Sequence, residues 1–427
     1  MLFLALACLA PGAWSQEPFR YPPPELGPDY KEPVTAFPPL KEILPPALDV
    51  AALVLAIALA SWFAHRTRSR KALFLLSMVS LTWFGFIREG CVCPVGSLQN
   101  VAEAIAIPDA PILISTILFF IIPLVATLLM GRTFCAAVCP LGAIQEIVLL
   151  RPTSLPAWLS AGLAILPLVY LILAVLFAVT GSAYVICRYD PFVGFFRLGA
   201  TSNMLVVGGC LIVISLFIGR PYCRFLCPYG VILGWLSRLS WRRITITPDA
   251  CAVCHLCEET CPYGAITVPN KGAPGGSRLR GRGALIGFLA LAPLIVLGMG
   301  WSGAALAPVL STGNPHVWLA NQIQAEESGQ TRETTDASDA FRASDGKIDE
   351  LFAEAEETRA QFLQGGRIGG AFLGFVIALQ LIAMSVRRRR VEYEADRDLC
   401  VACGRCFDWC PVEHERRQSG TVPEIRA

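Results

Sequence analysis

The chain has 427 residues, of which 54% are hydrophobic and only 16% are charged, and its mean hydropathy is +0.55. Soluble domains carry about 25% charged residues, so this composition argues against an ordinary soluble enzyme. The net charge of +2, without a long basic stripe, gives no support to nucleic-acid binding. The 17 cysteines fall in tight clusters followed by proline, which favours metal ligation over the disulfides of a small secreted domain.

The first 45 residues precede the apolar segments of the chain. Residues 1–15 contain the apolar run LFLALACLA and the small-x-small pattern Ala13-Trp14-Ser15, which predict a signal peptide. Residues 16–45 are too rich in proline for a helix and predict an extended extracytoplasmic segment.

Seven apolar segments approach the roughly 20 residues that a membrane-crossing helix needs. They lie at about 47–64, 72–88, 111–130, 157–179, 203–219, 283–304 and 367–386. We therefore expect an all-α polytopic membrane protein with about seven spans, to which a small α+β ferredoxin-like module is added.

The distribution of Lys and Arg predicts the orientation of these spans. Basic residues concentrate in 65–71, 220–282 and 387–390, which share one side if all seven segments cross. This predicts that the C-terminus lies in the cytoplasm and that the loop 305–366 lies on the opposite, extracytoplasmic side. The loop is acidic, and its part 347–362 predicts an exposed amphipathic helix.

The predicted membrane domain, residues 46–245, contains an internal repeat. Its two copies are Gly131-Arg132-x2-Cys135-x3-Cys139-Pro140-x-Gly142 and Gly219-Arg220-x2-Cys223-x3-Cys227-Pro228-x-Gly230. They predict tandem hairpins at about 72–150 and 157–240. Hairpins of this kind pair around a pseudo-twofold axis and place sites at their interface.

Two cysteine runs, in 246–270 and 391–415, have the bacterial ferredoxin spacing C-x2-C-x2-C-x3-C-P. In a two-cluster ferredoxin the fourth cysteine of each run binds the other cluster, so we expect two [4Fe–4S] clusters in the cytoplasm. The ligands of cluster 1 are then Cys251, Cys254, Cys257 and Cys410, and those of cluster 2 are Cys400, Cys403, Cys406 and Cys261. The alternatives are two zinc sites or two independent four-cysteine clusters.

The segment Cys251-Ala252-Val253-Cys254-His255 also matches the C-x-x-C-H signature of c-type haem. Haem is attached outside the cytoplasm, whereas this segment is expected inside. We find no pair of histidines within the spans and no covalent-flavin pattern. The sequence therefore predicts neither haem nor covalently bound flavin.

Four further cysteines lie at the predicted cytoplasmic ends of the third and fifth spans. Each pair has i, i+4 spacing and would face one way on a helix. Twofold pairing of the hairpins would bring Cys135, Cys139, Cys223 and Cys227 together, which predicts an additional Fe–S cluster in the membrane domain. A four-thiolate zinc site, or small residues packing between helices, are the alternatives.

A third set, Cys91, Cys93 and Cys187, is expected on the extracytoplasmic side. It could hold a second additional cluster, completed by Asp190 or by a non-protein ligand. Alternatively, Cys187 forms a disulfide with Cys91 or Cys93 in an oxidising compartment. Cys210 stands alone in the fifth span and is expected to pack there.

Several motifs resemble those of the NosR- and NapH-like membrane polyferredoxins. They are CVCPVGSLQ, GRTFCAAVCPLGAIQE, CRYDPF, GRPYCRFLCPYG and the two ferredoxin runs, within about 72–268 and 387–412. By position, the eight ferredoxin cysteines match the family's cluster ligands, and Cys135, Cys139, Cys223 and Cys227 match its membrane motifs. The resemblance implies a bacterial inner-membrane protein, with the loop 305–366 in the periplasm, that transfers electrons towards periplasmic reductases or their maturation.

The chain departs from the larger NosR type because it has only the short segment 16–45 in place of an N-terminal flavin-carrying periplasmic domain. We therefore expect a separate periplasmic redox partner, such as a flavin-carrying subunit, which the loop 305–366 would dock.

The sequence thus predicts a transmembrane electron-transfer subunit of an oxidoreductase complex rather than a stand-alone enzyme. Electrons would pass between a cytoplasmic or quinone-pool donor and a periplasmic acceptor. The first alternative is an Fe–S redox sensor or maturation factor for a periplasmic reductase. A transporter is the second, but the spans hold almost no charged residue at mid-membrane depth, where coupling sites usually lie.

Overall fold

The structure is a computed structural model, and it describes residues 45–418 except 91–92, 109, 111, 154, 198, 200, 247–250, 252, 270–277, 332–333, 344–346 and 386–391. Several expectations fall outside the described residues: the signal peptide, the proline-rich segment up to residue 44, Cys91 and the basic run at 387–390.

Helices dominate the part of the chain before the ferredoxin runs. In chain order they are α1 (Pro46–Trp62), α2 (Arg70–Ser80), α3 (Pro94–Ala106), α4 (Ile114–Met130), α5 (Thr133–Ala137), α6 (Pro140–Ile147), α7 (Ala157–Leu163), α8 (Leu166–Val179), α9 (Val185–Tyr189), α10 (Val193–Arg197), α11 (Ser202–Ser215), α12 (Pro221–Phe225) and α13 (Pro228–Arg238). Helices α1 and α2 continue as wider π-helical turns, Phe63–Thr67 and Leu81–Ile87.

The remaining elements of the described chain are seven helices and two short strands. In chain order these elements are α14 (Leu256–Glu259), β1 (Ile266–Thr267), α15 (Arg278–Ser311), α16 (Pro315–Glu327), α17 (Asp336–Ala343), α18 (Ile348–Ser385), β2 (Glu394–Ala395), α19 (Arg405–Asp408) and α20 (Pro411–Gln418).

Among the residues that the structure describes, five helical stretches are long and apolar enough to cross a membrane. They are Pro46–Thr67, Arg70–Ile87, Trp158–Val179, Gly283–Ser311 and Ile348–Ala383. Two shorter apolar helices, α4 and α11, lie at the predicted third and fifth segments. Each apolar segment of the sequence therefore coincides with an apolar helix.

One local expectation needs correction. The amphipathic helix predicted at 347–362 does not end before the last apolar segment, because 348–385 contains no proline and forms the single helix α18. Between the second and third apolar segments the chain forms α3, which begins at Pro94 and packs against α4 and α8. Proline at the first helical position favours such a start.

The chain divides into two compact units. The first comprises 180–183 and 294–375 of the described chain. Its core is formed by the buried residues Val317, Ala320, Ile323, Leu351 and Ala355. In this unit the backbones of α15 and α18 approach closely at glycines, since a Cβ at Gly303 would overlap the Gly366 carbonyl oxygen.

The second unit comprises 45–179, 184–293 and 376–418 of the described chain, and it contains all the cysteines discussed below. Within it the two ferredoxin runs, although far apart in sequence, form one module. Strands β1 and β2 pair antiparallel, with Ile266 opposite Ala395 and Thr267 opposite Glu394. The Asp396 amide extends this contact by donating to the Ala265 carbonyl oxygen at 2.7 Å.

Candidate functional site

The first ferredoxin pocket is lined by cysteines of both runs: Cys251, Cys254, Cys257 and Cys410. Its other lining residues include His255 and Tyr393, whose hydroxyl lies 3.0 Å from the His255 Nδ1. Val253 and His255 both have positive φ, which curls the loop tightly around the pocket. Three cysteines of one run and the last cysteine of the other thus share one cavity.

The second pocket has the complementary set: Cys261, Cys400, Cys403 and Cys406. Ala402 and Gly404 have positive φ, so the loop wraps around the cavity. Burial raises the pKa of the Cys400 thiol to about 12, although the Ala402 amide opposes this shift. A buried thiol of this kind ionises when a metal compensates its charge, which fits a site that binds iron through thiolates.

The four membrane-domain cysteines also meet, but each pair does not lie on one helix as expected. Cys135 belongs to α5, whereas Cys139 precedes α6 with extended angles of φ −68° and ψ 117°. The second copy has the same form, with Cys223 in α12 and Cys227 before α13. The reason is the proline that follows each second cysteine, because it disfavours helical angles in the residue before it.

Hydrogen-bond donors from both copies surround these thiols. The Gln145 amide lies 3.5 Å from the Cys223 sulfur, and the Gly230 amide donates to the Cys227 sulfur at 3.3 Å. Burial raises the pKa of Cys139, and the nearby thiols Cys223, Cys135 and Cys227 raise it further. The four sulfurs are therefore close together in a buried region that contains several hydrogen-bond donors.

A buried cation at this place fits an anionic cluster. Arg132 is only 9% exposed, its Nη2 lies 3.9 Å from the Cys135 sulfur, and its Nε is buried with no hydrogen-bond partner among the described residues. Buried charges need a partner of opposite sign, and thiolates around iron would supply it.

The two copies brace each other through their Gly-Arg pairs. Arg220 of the second copy donates to the carbonyl oxygens of Cys135 and, at 2.9 Å, of Ala136. A Cβ at Gly142 would lie 3.0 Å from the Arg220 Nη1, and one at Gly230 would lie 3.6 Å from the Arg132 Nη2. Glycine in both copies therefore leaves room for the arginine of the opposite copy.

Glu146 is a buried carboxylate that pairs with several arginines, and it is not among the residues that the sequence predicted for the site. It pairs with Arg220 at 3.0 Å, Arg70 at 2.5 Å and Arg405 at 2.9 Å, and it accepts a hydrogen bond from the Tyr263 hydroxyl at 2.9 Å. Burial alone would raise the pKa of Glu146, but the three arginines and the hydroxyl lower it to about 2. The signal in the sequence is a single acid within the mostly apolar run that follows Cys139.

In the third set, Asp190 does not present a free carboxylate to a metal. Its Oδ1 accepts from the Phe192 amide at 2.8 Å and the Val193 amide at 3.2 Å, and its Oδ2 accepts from the Tyr222 hydroxyl at 2.8 Å. These contacts hold the start of α10 and Tyr222, and completion of a metal site by Asp190 or by a non-protein ligand stays a prediction.

The Cys187 sulfur lies beside the first turn of α3, because a Cβ at Gly96 would be 3.3 Å from it. Burial raises the pKa of Cys93 to about 12, and the charges of Asp190 and Cys187 act in the same direction. Burial raises the pKa of Cys227, and the charges of Cys223 and, to a smaller extent, Cys93 raise it further. The prediction that the two sets lie on opposite faces of the membrane stays a prediction. Helix α3, which follows Cys93, packs along α4 and α8 and contacts α13, which follows Cys227.

Within the described ranges, no three His, Cys, Asp or Glu side chains converge closely enough to hold a single metal ion.

Two models of 4Fe-4S binding domains match the chain, one at 112–163 and again at 202–247, and the other at 244–267. The first therefore covers both membrane cysteine pairs, and the second covers the first ferredoxin run. No solved structure matches the chain.

Three curated relatives are similar to the chain. They are the "Putative electron transport protein YccM" of Escherichia coli K12 (28% identical over 40% of this chain and 52% of the relative), "Protein NirI" of Paracoccus denitrificans (33%, 36% and 25%) and "Regulatory protein NosR" of Pseudomonas aeruginosa (29%, 33% and 21%). The chain thus spans about half the length of the first of these relatives and less of the other two.

These relatives and the 4Fe-4S models agree with the predicted resemblance to the NosR- and NapH-like polyferredoxins. NosR and NirI are homologues of the chain, and its 4Fe-4S binding domains fit the NosR- and NapH-like polyferredoxins.

Proposed function

We propose that the protein is a transmembrane electron-transfer subunit that passes electrons through [4Fe–4S] clusters between a cytoplasmic or quinone-pool donor and a periplasmic acceptor or partner. The observation that carries this proposal is the packing of Cys135. This membrane-domain cysteine lies against the core of the ferredoxin module, which contains Tyr263, Ala265, Val401 and Cys403.

The ligands proposed for cluster 1 are Cys251, Cys254, Cys257 and Cys410, and those for cluster 2 are Cys261, Cys400, Cys403 and Cys406. Cys135, Cys139, Cys223 and Cys227 hold a membrane cluster. The pocket linings and the buried Arg132 support these sets.

Contacts between neighbouring sets suggest the order of transfer. Cys257 of cluster 1 packs against the same small core as Cys261 and Cys406 of cluster 2. Cys135 of the membrane cluster packs against the same core of buried residues as Cys261 and Cys400 of cluster 2. Each step moves one electron, so one cluster is oxidised as its neighbour is reduced.

Beyond the membrane cluster, Tyr222 offers a covalent and hydrogen-bonded connection to the third set. It directly precedes Cys223 in the chain, is buried, and donates to Asp190, whose charge acts on Cys93. Cys93 and Cys187, with Cys91, form the outer centre in this proposal, either as a cluster with a non-protein ligand or as a disulfide-containing site.

We place the ferredoxin module in the cytoplasm and the loop 305–366 in the periplasm, with seven crossing helices in the inner membrane. The Lys and Arg bias of the sequence supports this orientation. Exposed acids on α16–α18, among them Glu327, Asp336, Asp339 and Glu354, give the loop an anionic surface for a periplasmic redox partner, such as a flavin-carrying subunit.

The test uses anaerobically purified full-length protein in vesicles. The wild type should contain clearly more iron and acid-labile sulfide than the eight of each that two [4Fe–4S] clusters supply. Cys135→Ser with Cys223→Ser should remove about four iron atoms and stop transfer across the vesicle membrane, while the ferredoxin signals remain. Cys210→Ser, at an exposed position of α11, is the matched control. Undiminished transfer in the double variant would refute the proposal.

The second candidate is a redox sensor or maturation factor, which the printed name of the relative "Regulatory protein NosR" brings forward. Sustained turnover with an enclosed acceptor separates the two functions, because a sensor passes no continuous current.

A further inference from the structure

The two hairpin copies differ seven residues after their second cysteine. This position holds Glu146 in the first copy and Gly234 in the second. Glu146 pairs with Arg220, the arginine of the opposite copy, at 3.0 Å. Arg132 of the first copy is the counterpart of Arg220. The second copy has Gly234 at the position equivalent to Glu146, so it provides no carboxylate to pair with Arg132.

A carboxylate of the ferredoxin module, Asp398, lies beside Gly234. A Cβ at Gly234 would overlap the Asp398 Oδ1 and would lie 3.3 Å from the Asp398 Cγ. The Asp398 side chain therefore occupies the place where a larger side chain at position 234 would begin. Glycine at this point is what lets a carboxylate enter from outside the repeat.

Asp398 also contacts both hairpin copies. Its backbone carbonyl oxygen accepts from the Arg132 Nη1 at 2.6 Å, and its carboxylate pairs with Arg238 at the end of α13. The neighbouring Arg397 carbonyl oxygen accepts from the Ser237 hydroxyl at 2.7 Å. These contacts fix residues 397–398 against α13 in one register.

Arg132 connects this contact to the membrane cysteines. It lies between Asp398 and Cys135, and its Nε is buried without a partner among the described residues. The charge of Asp398 acts on Arg132, as the charge of Cys135 does. Any loss of Asp398 therefore changes the net charge beside the proposed membrane cluster.

We propose that Asp398 is a positioning residue that replaces the carboxylate missing from the second copy, docks the ferredoxin module on that copy, and balances Arg132 beside the membrane cluster. The inference rests on the proposed cluster at Cys135, Cys139, Cys223 and Cys227. With Asp398 in place, Arg132 is partly neutralised. Without it, the cation stabilises an added electron more strongly and the reduction potential of the membrane cluster rises.

The test compares Asp398→Asn with Glu394→Gln, which removes the same charge from an exposed position of the same module. Redox titration followed by electron paramagnetic resonance measures the cluster signal that Cys135→Ser removes. Asp398→Asn should raise the midpoint potential of that signal and weaken its magnetic coupling to the adjacent ferredoxin cluster. Glu394→Gln should change neither quantity.

A relocated carboxylate provides a second variant. Gly234→Asp combined with Asp398→Gly returns the negative charge from the membrane side and should bring the potential back towards that of the wild type. Gly234→Ala alone should weaken the magnetic coupling, because the added methyl group displaces Asp398.

The outcomes separate this inference from the proposed function. If Asp398→Asn leaves the potential and the coupling of an existing membrane-cluster signal unchanged, the inference is overturned while the proposed function stands. If the wild type shows no such signal, the membrane centre is refuted, and the inference fails with it.

Discussion

Arg220 of the second hairpin copy donates a hydrogen bond to the backbone carbonyl oxygen of Cys135 in the first. The arginine that follows the glycine of one repeat thus shapes the cysteine loop of the other. Both Gly-Arg pairs are consequently part of the cysteine site, although neither arginine stands next to a cysteine in its own sequence motif. Cross-bracing of this kind ties the two copies into one site before any metal binds.

Removal of the Glu146 carboxylate should destabilise the second unit strongly. Glu146→Gln leaves Arg70, Arg220 and Arg405 without their common anion, and breaking a buried ion pair in this way costs about 3–5 kcal/mol. We expect a lower thermal transition in detergent and faster release of iron. Glu415→Gln, an exposed change in α20, should leave both measurements unaffected.

The effect of this substitution should depend on pH. The pKa of Glu146 is lowered from 4.5 to about 2, so its stabilising contribution is complete above pH 4.5 and is lost as the pH falls towards 2. The difference in transition temperature between the wild type and Glu146→Gln should therefore shrink on acidification. A difference that grows below pH 4.5 would contradict the assigned ion pairs.

Pairs of cysteine substitutions distinguish shared clusters from independent ones. If each run donates its last cysteine to the other cluster, Cys254→Ser with Cys410→Ser affects one cluster and should remove about four iron atoms. Cys254→Ser with Cys261→Ser then affects two clusters and should remove about eight. Independent four-cysteine clusters predict the reverse order, which iron and sulfide analysis would reveal.

Asp190→Asn should leave the iron content unchanged, because the carboxylate is engaged by two backbone amides and the Tyr222 hydroxyl. The cost should appear as a lower stability of about 1–3 kcal/mol, since the buried groups lose a good acceptor. Loss of iron in this variant, without loss of folded protein, would identify Asp190 as a ligand.

Gly370 tests the close approach of α15 and α18. A Cβ there would overlap the Met299 carbonyl oxygen, so Gly370→Leu should weaken the first unit by about 1–3 kcal/mol or more. Gly298→Leu is the matched control, because a Cβ at Gly298 meets no atom within 4 Å. Limited proteolysis of 305–366 in vesicles should show faster cleavage in the first variant only.

Patterns that depend on local rules were readable from the sequence. Apolar length predicted where helices lie, and the C-P pairs predicted which cysteines would gather, because proline and hydrophobic periodicity act within a few residues. The i, i+4 geometry of Cys135 and Cys139 was wrong for the same local reason, since Pro140 ends one helix and begins the next.

Long-range partners could not be predicted in this way. Glu146 meets Arg70, Arg220 and Arg405, which are distant in sequence and carry no spacing that points to one carboxylate. Likewise, Gly234 looks like an ordinary helix glycine until Asp398 is found against it. A single sequence records which residues are present but not which of them the folded chain brings together.

The pairing of β1 with β2 has a consequence for biogenesis. With the proposed ligands, each ferredoxin cluster needs cysteines of both runs. The first run is synthesised before α15 and α18, and the second run is synthesised after them. Neither ferredoxin centre is complete until the last apolar helix has left the ribosome. Under this ligand assignment iron loading would be a late step, and a chain whose final helices fail to insert correctly would have no complete ferredoxin centre to receive a cluster.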